Sequence, residues 1–556
     1  MLDRVPAGGN VSLPMSQNDA SCLPAPGRMS ALFGRPLFLF LAILAVTMSL
    51  RAPLLDIPLD RDEGEYAYIG WRMDQHELPY RDWVDQKPPG AFWVYRLALA
   101  LPMDPILAIH LMGALFAALS AGALFLLARR YLDDYWAAVA GLLLGVLSAD
   151  PAVQGTAANT ELFMQLPIIL SQLALIRATA SGARRRRYAI LCGVLAGAAA
   201  LFKQVGALDW LLLVVVFPMW CEKGQRLRKT LSFAAWSAAG AAAVWGSLMI
   251  YFVLNHAWND FIYNILYHNL VYIHTLSPAD RLAHFQDTVA KLFKSQALIW
   301  LFAAIGGGMW LKRGQKKRFA YVLLWMLSGA VGVNLSGYFY PHYFHVLLPP
   351  LALAAAMGAS ALASAGAAEA AQGWFRRAAL TGALALIPVM TLSPFLFSYT
   401  ASEAVRRIYP NDPYAEMPSL ARRLAEVTGP QDRVYIFGSE PELLFYARRI
   451  SAARYVILPS LFGPYADSQE KQTAVSVEIT KAHPAAAFYL PNGLFFTPHI
   501  EHYLTDWSFD YLHRNFQADR WLGRTGAGPF TICPAPKSAP APTNMVGELL
   551  VRKAPL

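Results

Sequence analysis

The chain has 556 residues, of which 56% are hydrophobic and only 15% are charged, and its mean hydropathy is +0.34. This composition is too apolar for an ordinary soluble globular protein and predicts a membrane protein. The formal net charge of +10 collects in basic loops between apolar runs, so it indicates topology and attraction to anionic lipid rather than nucleic-acid binding.

Apolar runs long enough to cross a bilayer recur along the first 400 residues and predict a polytopic α-helical membrane protein with about 11 transmembrane helices. The predicted spans are 36–55, 105–128, 135–149, 161–176, 188–202, 207–220, 231–254, 296–311, 319–336, 344–363 and 378–398. Residues 1–30 lack periodicity and predict a disordered N-terminal segment. No small-residue cleavage site follows the first span, so we expect an uncleaved anchor rather than a signal peptide.

Lysine and arginine cluster in every second predicted loop. The clusters lie at 129–130, 184–187, 223–229, 312–318 and 376–377. Because cytoplasmic loops collect these residues, the alternation predicts a cytoplasmic N-terminus. It also predicts that the loop after the first span and everything after Thr400 lie on the opposite side of the membrane.

The first outward loop, residues 59–95, is the most polar interruption in this apolar chain. Four carboxylates fall within its first two helical turns. They are Asp60, Asp62, Glu63 and Glu65. The spacing predicts a helix over 62–75, with Asp62, Tyr66, Ile69 and Met73 on a face that lies along the membrane surface.

The end of the same loop returns to the bilayer through residues 79–89. It carries Asp85 and Lys87, and Pro88 and Pro89 delay the next helix. The segment therefore predicts a fixed turn that holds a lysine at the membrane edge.

Two motifs in this loop resemble a known family. Asp-Glu-Gly-Glu-Tyr-Ala at 62–67 and Gln-Lys-Pro-Pro at 86–89 are similar to the first-loop signature of bacterial membrane glycosyltransferases of the GT-C type. That group includes protein O-mannosyltransferase-like enzymes and the transferases that add aminoarabinose or galacturonic acid to lipid A (glycosyltransferase family 39/83-like). The resemblance covers most of residues 36–400. It implies a GT-C domain over 31–400, a bacterial inner membrane location and a periplasmic C-terminal domain.

The resemblance also implies a reaction, in which a sugar moves from a polyprenyl-phosphate donor to an acceptor hydroxyl on the outer face of the membrane. Asp62 stands at the family's catalytic carboxylate and is the expected general base, with Glu63 as support. Repulsion from Glu63 would raise the pKa of Asp62. Lys87 is the expected contact for the donor phosphate. Glu65 departs from the aminoarabinose transferases, which carry an arginine there, so other basic groups must replace that arginine.

Two polar residues at the ends of later spans are further candidates. Glu161 is either a second acidic group of the site, as the resemblance implies, or a favourable charge at a helix N-terminus. Lys203 interrupts an apolar run, where a lysine costs about 2.5–3.5 kcal/mol on insertion scales and needs a partner. It either snorkels to the surface or, as we prefer, contacts the donor phosphate.

An aromatic cluster at 338–345 precedes the tenth span. It resembles a His-Tyr pattern followed by Pro-Pro that related transferases carry at this place. The resemblance implies that His342 and Tyr343 contact the phosphate or the sugar of the donor.

Asp60 and Asp62 also form a D-x-D pattern, which in sugar-nucleotide enzymes binds a divalent cation to a diphosphate. A donor with a single phosphate needs less help from a metal. We therefore expect no required cofactor, with Mg or Mn at this pair of carboxylates as the alternative.

After Thr400 the hydrophobic runs shorten. Strands are predicted at 433–437, 454–458 and 485–490, and helices at 440–449 and 468–481. This alternation predicts an extracytoplasmic α/β domain over 401–556 with a largely parallel sheet. The Pro- and Ala-rich tail at 533–542 is expected to be irregular.

A polytopic lipid or glycolipid transporter or flippase is the alternative function. It would share the number of spans, but it would place ionisable groups or broken helices near the bilayer midplane. Here the carboxylates lie at the outer ends of the spans. The expected partners are a polyprenyl-phosphate-linked sugar donor, membrane lipids and an acceptor that is a glycan, a lipid or a protein. The sequence identifies neither the sugar nor the acceptor.

Overall fold

Helices make up most of the first 400 residues in the computed structural model, which describes residues 29–180, 182, 184–364, 370–491, 503–536 and 541–553. The predicted disordered segment at 1–30 lies outside the described residues, except for its last two positions, which begin the first helix.

A helix occupies each predicted membrane span. These helices are α1 (Met29–Arg51), α4 (Pro105–Ala128), α5 (Asp134–Leu147), α6 (Thr160–Ala180), α7 (Arg185–Phe202), α8 (Ala207–Val216), α9 (Arg226–Leu254), α12 (Pro278–Lys312), α13 (Lys316–Asn334), α14 (Leu348–Ala363) and α15 (Ala370–Phe397). Within the described residues, 7 helices are long and apolar enough to cross a membrane. The polytopic helical fold is confirmed, and the number of 11 spans stays a prediction.

The outward segments between these spans are also largely helical. The first holds α2 (Arg61–Met73) and α3 (Gly90–Leu99), and the segment after α9 holds α10 (Trp258–Ile262) and α11 (His268–Tyr272), joined by a π-helical turn. The helix α12 begins well before its predicted span, because Ser277 caps it and Pro278 stands at its first position.

Glycines allow several of the spanning helices to approach closely. A Cβ atom built on Gly193 of α7 would lie 1.7 Å from the carbonyl oxygen of Ser237 on α9. On α14, a Cβ atom at Gly358 would lie 1.9 Å from the carbonyl oxygen of Phe302 on α12. No larger side chain fits at these crossings, as is common where membrane helices pack through small residues.

The chain after Thr400 forms a mixed sheet with flanking helices. The helices are α16 (Ala401–Ile408), α17 (Met417–Val427), α18 (Pro441–Ala447), α19 (Ser468–Ala482) and α20 (Tyr503–Asn515). The strands are β1 (Arg433–Phe437), β2 (Ile450–Ser451), β3 (Ala486–Tyr489), β4 (Phe516–Arg524), β5 (Phe530–Pro534) and β6 (Met545–Arg552). They form one 6-stranded sheet in the order β2-β1-β3-β6-β4-β5.

Three expectations for this region were wrong. The sheet is not largely parallel, since only β2, β1 and β3 are parallel and the last three strands pair antiparallel. The strand predicted at 454–458 is irregular, and the chain instead pairs at β2. The first residues of the tail predicted to be irregular, Cys533 and Pro534, belong to β5, whose pairing with β4 overrides the weak local signal.

The helix α2 packs between α3 and α18, so its apolar face is covered by protein. Tyr66 and Ile69 share one hydrophobic core with Leu443 and Leu444 of α18. A Cβ atom on Gly64 would lie 2.6 Å from the backbone nitrogen of Glu442, so glycine permits this close approach. The prediction that this face lies on the membrane surface is therefore wrong, because the face packs against the C-terminal part of the chain.

Polar contacts reinforce this docking. The Arg61 guanidinium donates to the carbonyl oxygen of Ser439 at 2.6 Å and to the Glu440 carboxylate at 3.2 Å. Two tyrosine hydroxyls join the same surfaces: the backbone N–H of Leu59 donates to Tyr446, and that of Ser451 donates to Tyr68. The start of α2 is thus held from two sides.

Candidate active site

The start of α2 is closed by a reciprocal capping box. The backbone N–H of Glu63 donates to Oδ1 of Asp60 at 2.9 Å, and the backbone N–H of Asp60 donates to Oε2 of Glu63 at 3.2 Å. The hydroxyl of Tyr409 donates to the other oxygen of Asp60 at 2.6 Å. Because such a box satisfies free N–H groups of the first turn, it fixes where α2 begins and therefore where Asp62 points.

Glu63 also anchors α2 to the membrane helices. The backbone N–H of Ala158 donates to its Oε1 at 2.7 Å, and Nε2 of His110 on α4 lies 3.1 Å from the same oxygen. Its side chain is only 2% exposed. Both oxygens of Glu63 thus hold backbone N–H groups in place, and its catalytic support role stays a prediction.

Asp62 and Lys87 form the centre of the site. Oδ1 of Asp62 lies 3.0 Å from Nζ of Lys87, and its Oδ2 lies 3.9 Å from Nε2 of His342. Burial alone would raise the pKa of Asp62, but the charge of Lys87, followed by His342, lowers this pKa to about 2. The expectation that Glu63 raises the pKa of Asp62 is wrong, because Lys87 determines the direction.

The loop around Lys87 is held by hydrogen bonds at its backbone. The N–H of Lys87 donates to Oδ1 of Asp85 at 2.9 Å, and the hydroxyl of Tyr80 donates to the Lys87 carbonyl oxygen at 2.7 Å. The ammonium lies 4.6 Å from the centre of the Tyr66 ring, a cation–π contact. The predicted fixed turn is present, and it aims the ammonium at Asp62.

A second lysine and carboxylate pair lies beside the first. Nζ of Lys203 forms a short ion pair with Glu161, and it lies 3.4 Å from the centre of the Tyr343 ring. Glu161 stands in the first turn of α6, so its two proposed roles, site member and helix-terminal charge, coincide. Lys203 has a protein partner and is only 17% exposed, so it does not snorkel freely to the surface.

His342 connects the two pairs. Its Nδ1 lies 2.7 Å from Oε1 of Gln154, while its Nε2 faces Asp62. The ring of Tyr343 packs against the imidazole with ring centres 4.9 Å apart. The structure therefore brings Asp62, Lys87, Lys203 and the His-Tyr pair into one site, although they come from four separate segments of the chain.

The D-x-D pair does not fit a divalent cation. Both oxygens of Asp60 accept hydrogen bonds from the protein, and burial, with repulsion from Glu63, raises the pKa of Asp60 to about 8. Asp62 already faces the Lys87 ammonium. Among the described residues, no group of three or more His, Cys, Asp or Glu side chains is arranged to hold a metal ion.

Two carboxyl groups beside Lys87 were not selected from the sequence as site residues. Oε2 of Glu65 lies 3.8 Å from Nζ of Lys87, and Asp85 holds the lysine backbone. One turn of helix separates Glu65 from Asp62, and two positions separate Asp85 from Lys87. This closeness in sequence to Asp62 and Lys87 is the signal that could have identified Glu65 and Asp85 as site residues.

A cavity of about 60 Å³ lies behind the lysine loop, between the outward segments that link the spans and the C-terminal part. Its lining includes Asp85, Gln86, His268, Tyr272 and Tyr338, together with residues 457–465 after β2. Asp85 therefore borders both the Lys87 loop and this cavity.

Comparisons with known proteins show which families this chain resembles. Residues 86–251 match the family model described as dolichyl-phosphate-mannose-protein mannosyltransferase. The chain is 30% identical, over 200 residues, to the undecaprenyl phosphate-alpha-4-amino-4-deoxy-L-arabinose arabinosyl transferase of Pseudomonas aeruginosa (strain UCBPP-PA14). That match covers 34% of this chain and 34% of the relative, so it spans about a third of the curated relative's length.

Solved structures extend the likeness to nearly the whole chain. The crystal structure of ArnT from Cupriavidus metallidurans bound to undecaprenyl phosphate superposes with a TM-score of 0.60 at 17% identity, over 92% of this chain and 97% of ArnT. The chain has the GT-C fold of these membrane glycosyltransferases. The mycobacterial arabinofuranosyltransferase AftD shares the fold of this GT-C chain with a TM-score of 0.51 at 14% identity, over 93% of the chain and 40% of AftD. The shared architecture makes this GT-C chain a multi-pass membrane protein.

Proposed function

We propose that the protein transfers a sugar from a polyprenyl-phosphate donor to an acceptor hydroxyl on the outer face of the bacterial inner membrane. The observation that carries this proposal is the 3.0 Å pair of Asp62 and Lys87, with Lys203 beside it. A carboxylate that can accept a proton thus stands next to two ammonium groups that can bind a phosphate.

The chemistry needs both kinds of group. The acceptor oxygen forms a bond to the anomeric carbon as the bond from that carbon to the phosphate oxygen breaks, and the polyprenyl monophosphate leaves with the electron pair. Lys87 and Lys203 stabilise the charge that grows on the phosphate. Asp62 takes the proton that the acceptor hydroxyl loses.

Donor binding itself makes Asp62 a better base. With Lys87 directed at the carboxylate, the pKa of Asp62 is about 2, which makes Asp62 a weak proton acceptor. When the Lys87 ammonium turns to the donor phosphate, it pulls less on Asp62, and the nearby phosphate charge repels the carboxylate. Both effects raise the pKa of Asp62. The base therefore becomes effective only when the donor is in place.

The remaining residues position these groups. Glu161 holds Lys203, and the capping box of Asp60 and Glu63 holds the start of α2. His342 and Tyr343 stand where a donor sugar or phosphate would lie next to Lys203. The two ammonium groups supply the positive charge that a metal supplies in diphosphate enzymes, so we propose that no metal is required.

The basic loops support the orientation of the protein in the membrane. They place the N-terminus in the cytoplasm and put the start of α2 and the sheet after Thr400 on the periplasmic side. On this proposal, residues 31–400 form the transferase domain and residues 401–556 form a periplasmic domain docked on α2. The acceptor is a glycan, a lipid or a protein on that side.

A transfer assay with matched variants tests the proposal. Detergent-purified protein is incubated with polyprenyl phosphates that carry labelled sugars, and release or transfer of the label is measured. We expect turnover in the wild type and strong loss in Lys87→Met. Lys291→Met, which changes an exposed lysine on α12, should match the wild type. A lipid transporter would leave every donor intact, and that result would contradict the proposal.

A further inference from the structure

Two carboxyl groups lie within 4 Å of the Lys87 ammonium, and a third binds the backbone of the same lysine. Asp62 lies 3.0 Å and Glu65 3.8 Å from Nζ, and Asp85 accepts the backbone N–H of the same lysine at 2.9 Å. Asp62 is 27% exposed, whereas Glu65 is fully buried. One cation therefore faces more negative groups than it can neutralise.

The two buried carboxyls have too few hydrogen-bond donors. Among the described residues, no group donates a hydrogen bond to either oxygen of Glu65 or to Oδ2 of Asp85. Asp85 is only 2% exposed, so water does not replace the missing donors freely. A buried carboxylate without a donor is costly, and two of them side by side repel each other.

The neighbouring groups do not remove this excess of acceptors. The titratable groups that face Glu65 and Asp85 are Asp62 and Tyr66 on α2, and Tyr80 and Lys87 in the loop. The elements packed on α2 contribute Tyr95 from α3 and Glu442 from α18, which interact with the acidic groups at the start of α2 and with Arg61. None of these neighbours adds a second cation.

We propose that Glu65 and Asp85 share one proton, with the protonated carboxyl of Glu65 donating to Oδ2 of Asp85. Glu65 and Asp85 are then positioning residues for Lys87 in the sugar transfer proposed above, on which this inference rests. The shared proton satisfies the acceptors that otherwise lack a donor. It also reduces the negative charge that an incoming donor phosphate meets.

The electrostatics support this arrangement. Burial, with repulsion from Asp85, raises the pKa of Glu65 well above its usual value, and burial also raises the pKa of Asp85. Two interacting carboxyls lose their protons in separate steps, so the second proton is held to higher pH. Burial alone would lower the pKa of Lys87. The surrounding negative charge, most of all that of Asp62, instead holds this pKa well above its usual value.

At position 65 this chain then carries a neutral acid that donates one hydrogen bond to Asp85. Lys87 and Lys203 remain as the cations of the site. Loss of the shared proton would place an additional negative charge within 4 Å of Lys87 and weaken its hold on the phosphate.

The variant Glu65→Gln tests this inference, because a glutamine amide can donate to Asp85 but cannot titrate. In the wild type we expect KM for the donor to rise about tenfold per pH unit once the pair loses its proton. In Glu65→Gln, the rise of KM at alkaline pH should vanish. Glu470→Gln, at an exposed position on α19, is the matched control and should keep the wild-type profile.

A second measurement does not depend on turnover. Infrared difference spectra between the wild type and Glu65→Gln at neutral pH should contain the band of one protonated carboxyl, and the difference with Glu470→Gln should not. An absent band, or an unchanged alkaline rise of KM in Glu65→Gln, would overturn the shared proton while leaving the transfer reaction intact. Absence of transfer by the wild type would instead overturn the proposed function. The infrared band would still decide whether the proton is shared.

Discussion

Oδ1 of Asp62 lies 3.0 Å from Nζ of Lys87, so the proposed base and the proposed phosphate contact neutralise each other in this structure. A phosphate that draws Lys87 away separates the pair. Binding of the donor and activation of the base therefore both follow when Lys87 moves from Asp62 to the phosphate.

Asp62→Asn should abolish most of the catalysis without harming donor binding. The amide keeps the shape but does not accept the proton, and losing a general base typically costs about 10²- to 10⁴-fold in rate. Donor binding should stay equal or become tighter, because Lys87 no longer has a charged partner. Single-turnover rates and donor affinity are measured separately. Asp287→Asn, at an exposed site on α12, serves as the control. Near-normal turnover would move the base elsewhere, with Glu161 as the next carboxylate to test.

The pH profiles of kcat/KM and kcat should differ. Burial alone would raise the pKa of Asp62, but Lys87 and His342 lower it to about 2 in the free protein. Asp62 is then ionised throughout the range above about pH 4, so kcat/KM should show no acid limb from this group there. In the donor complex the pKa of Asp62 is higher. As the pH is lowered, kcat should therefore begin to fall at a higher pH than kcat/KM does. Identical acid limbs in both profiles would argue against activation by the donor.

The pair of Lys203 and Glu161 should show strong coupling in stability. Lys203→Met leaves a buried carboxylate without its cation, which typically costs about 3–5 kcal/mol. The double variant with Glu161→Gln removes both charges and should recover most of the stability, while its KM for the donor stays raised. Thermal unfolding and donor KM are the two readouts. The exposed pair at Lys291 is the control, where Lys291→Met should change stability by less than about 1 kcal/mol. A double variant as unstable as Lys203→Met would show that the charge pair is not the cause.

The orientation predicted from the basic loops can be tested with reporters. A reporter that is active only in the periplasm should be active when fused after residue 556. The same reporter fused after residue 315, within the basic loop at 312–318, should be silent. A silent fusion after residue 556, together with an active cytoplasmic reporter at that position, would place the site on the wrong side for the proposed reaction.

The sequence by itself determined the membrane class, the positions of the helices and the two motifs around Asp62 and Lys87. These features are local, because apolar runs and short motifs involve neighbouring residues. The sheet was predicted less well. Its last three strands are weakly patterned, and β6 reaches its place between β3 and β4 only through pairing at long range.

Only the tertiary structure decided what each polar group in the site does. Glu63 accepts a hydrogen bond from Ala158, 95 positions away in the chain, and this contact makes it an anchor rather than a neighbour that tunes Asp62. Lys203 meets Glu161 across 42 positions. The direction in which a pKa moves depends on burial and on which charge lies closest, and both quantities arise only when distant segments pack together. The motifs therefore predicted that Asp62 and Lys87 belong to one site, but not that their side chains pair or that Glu65 and Asp85 lie beside Lys87.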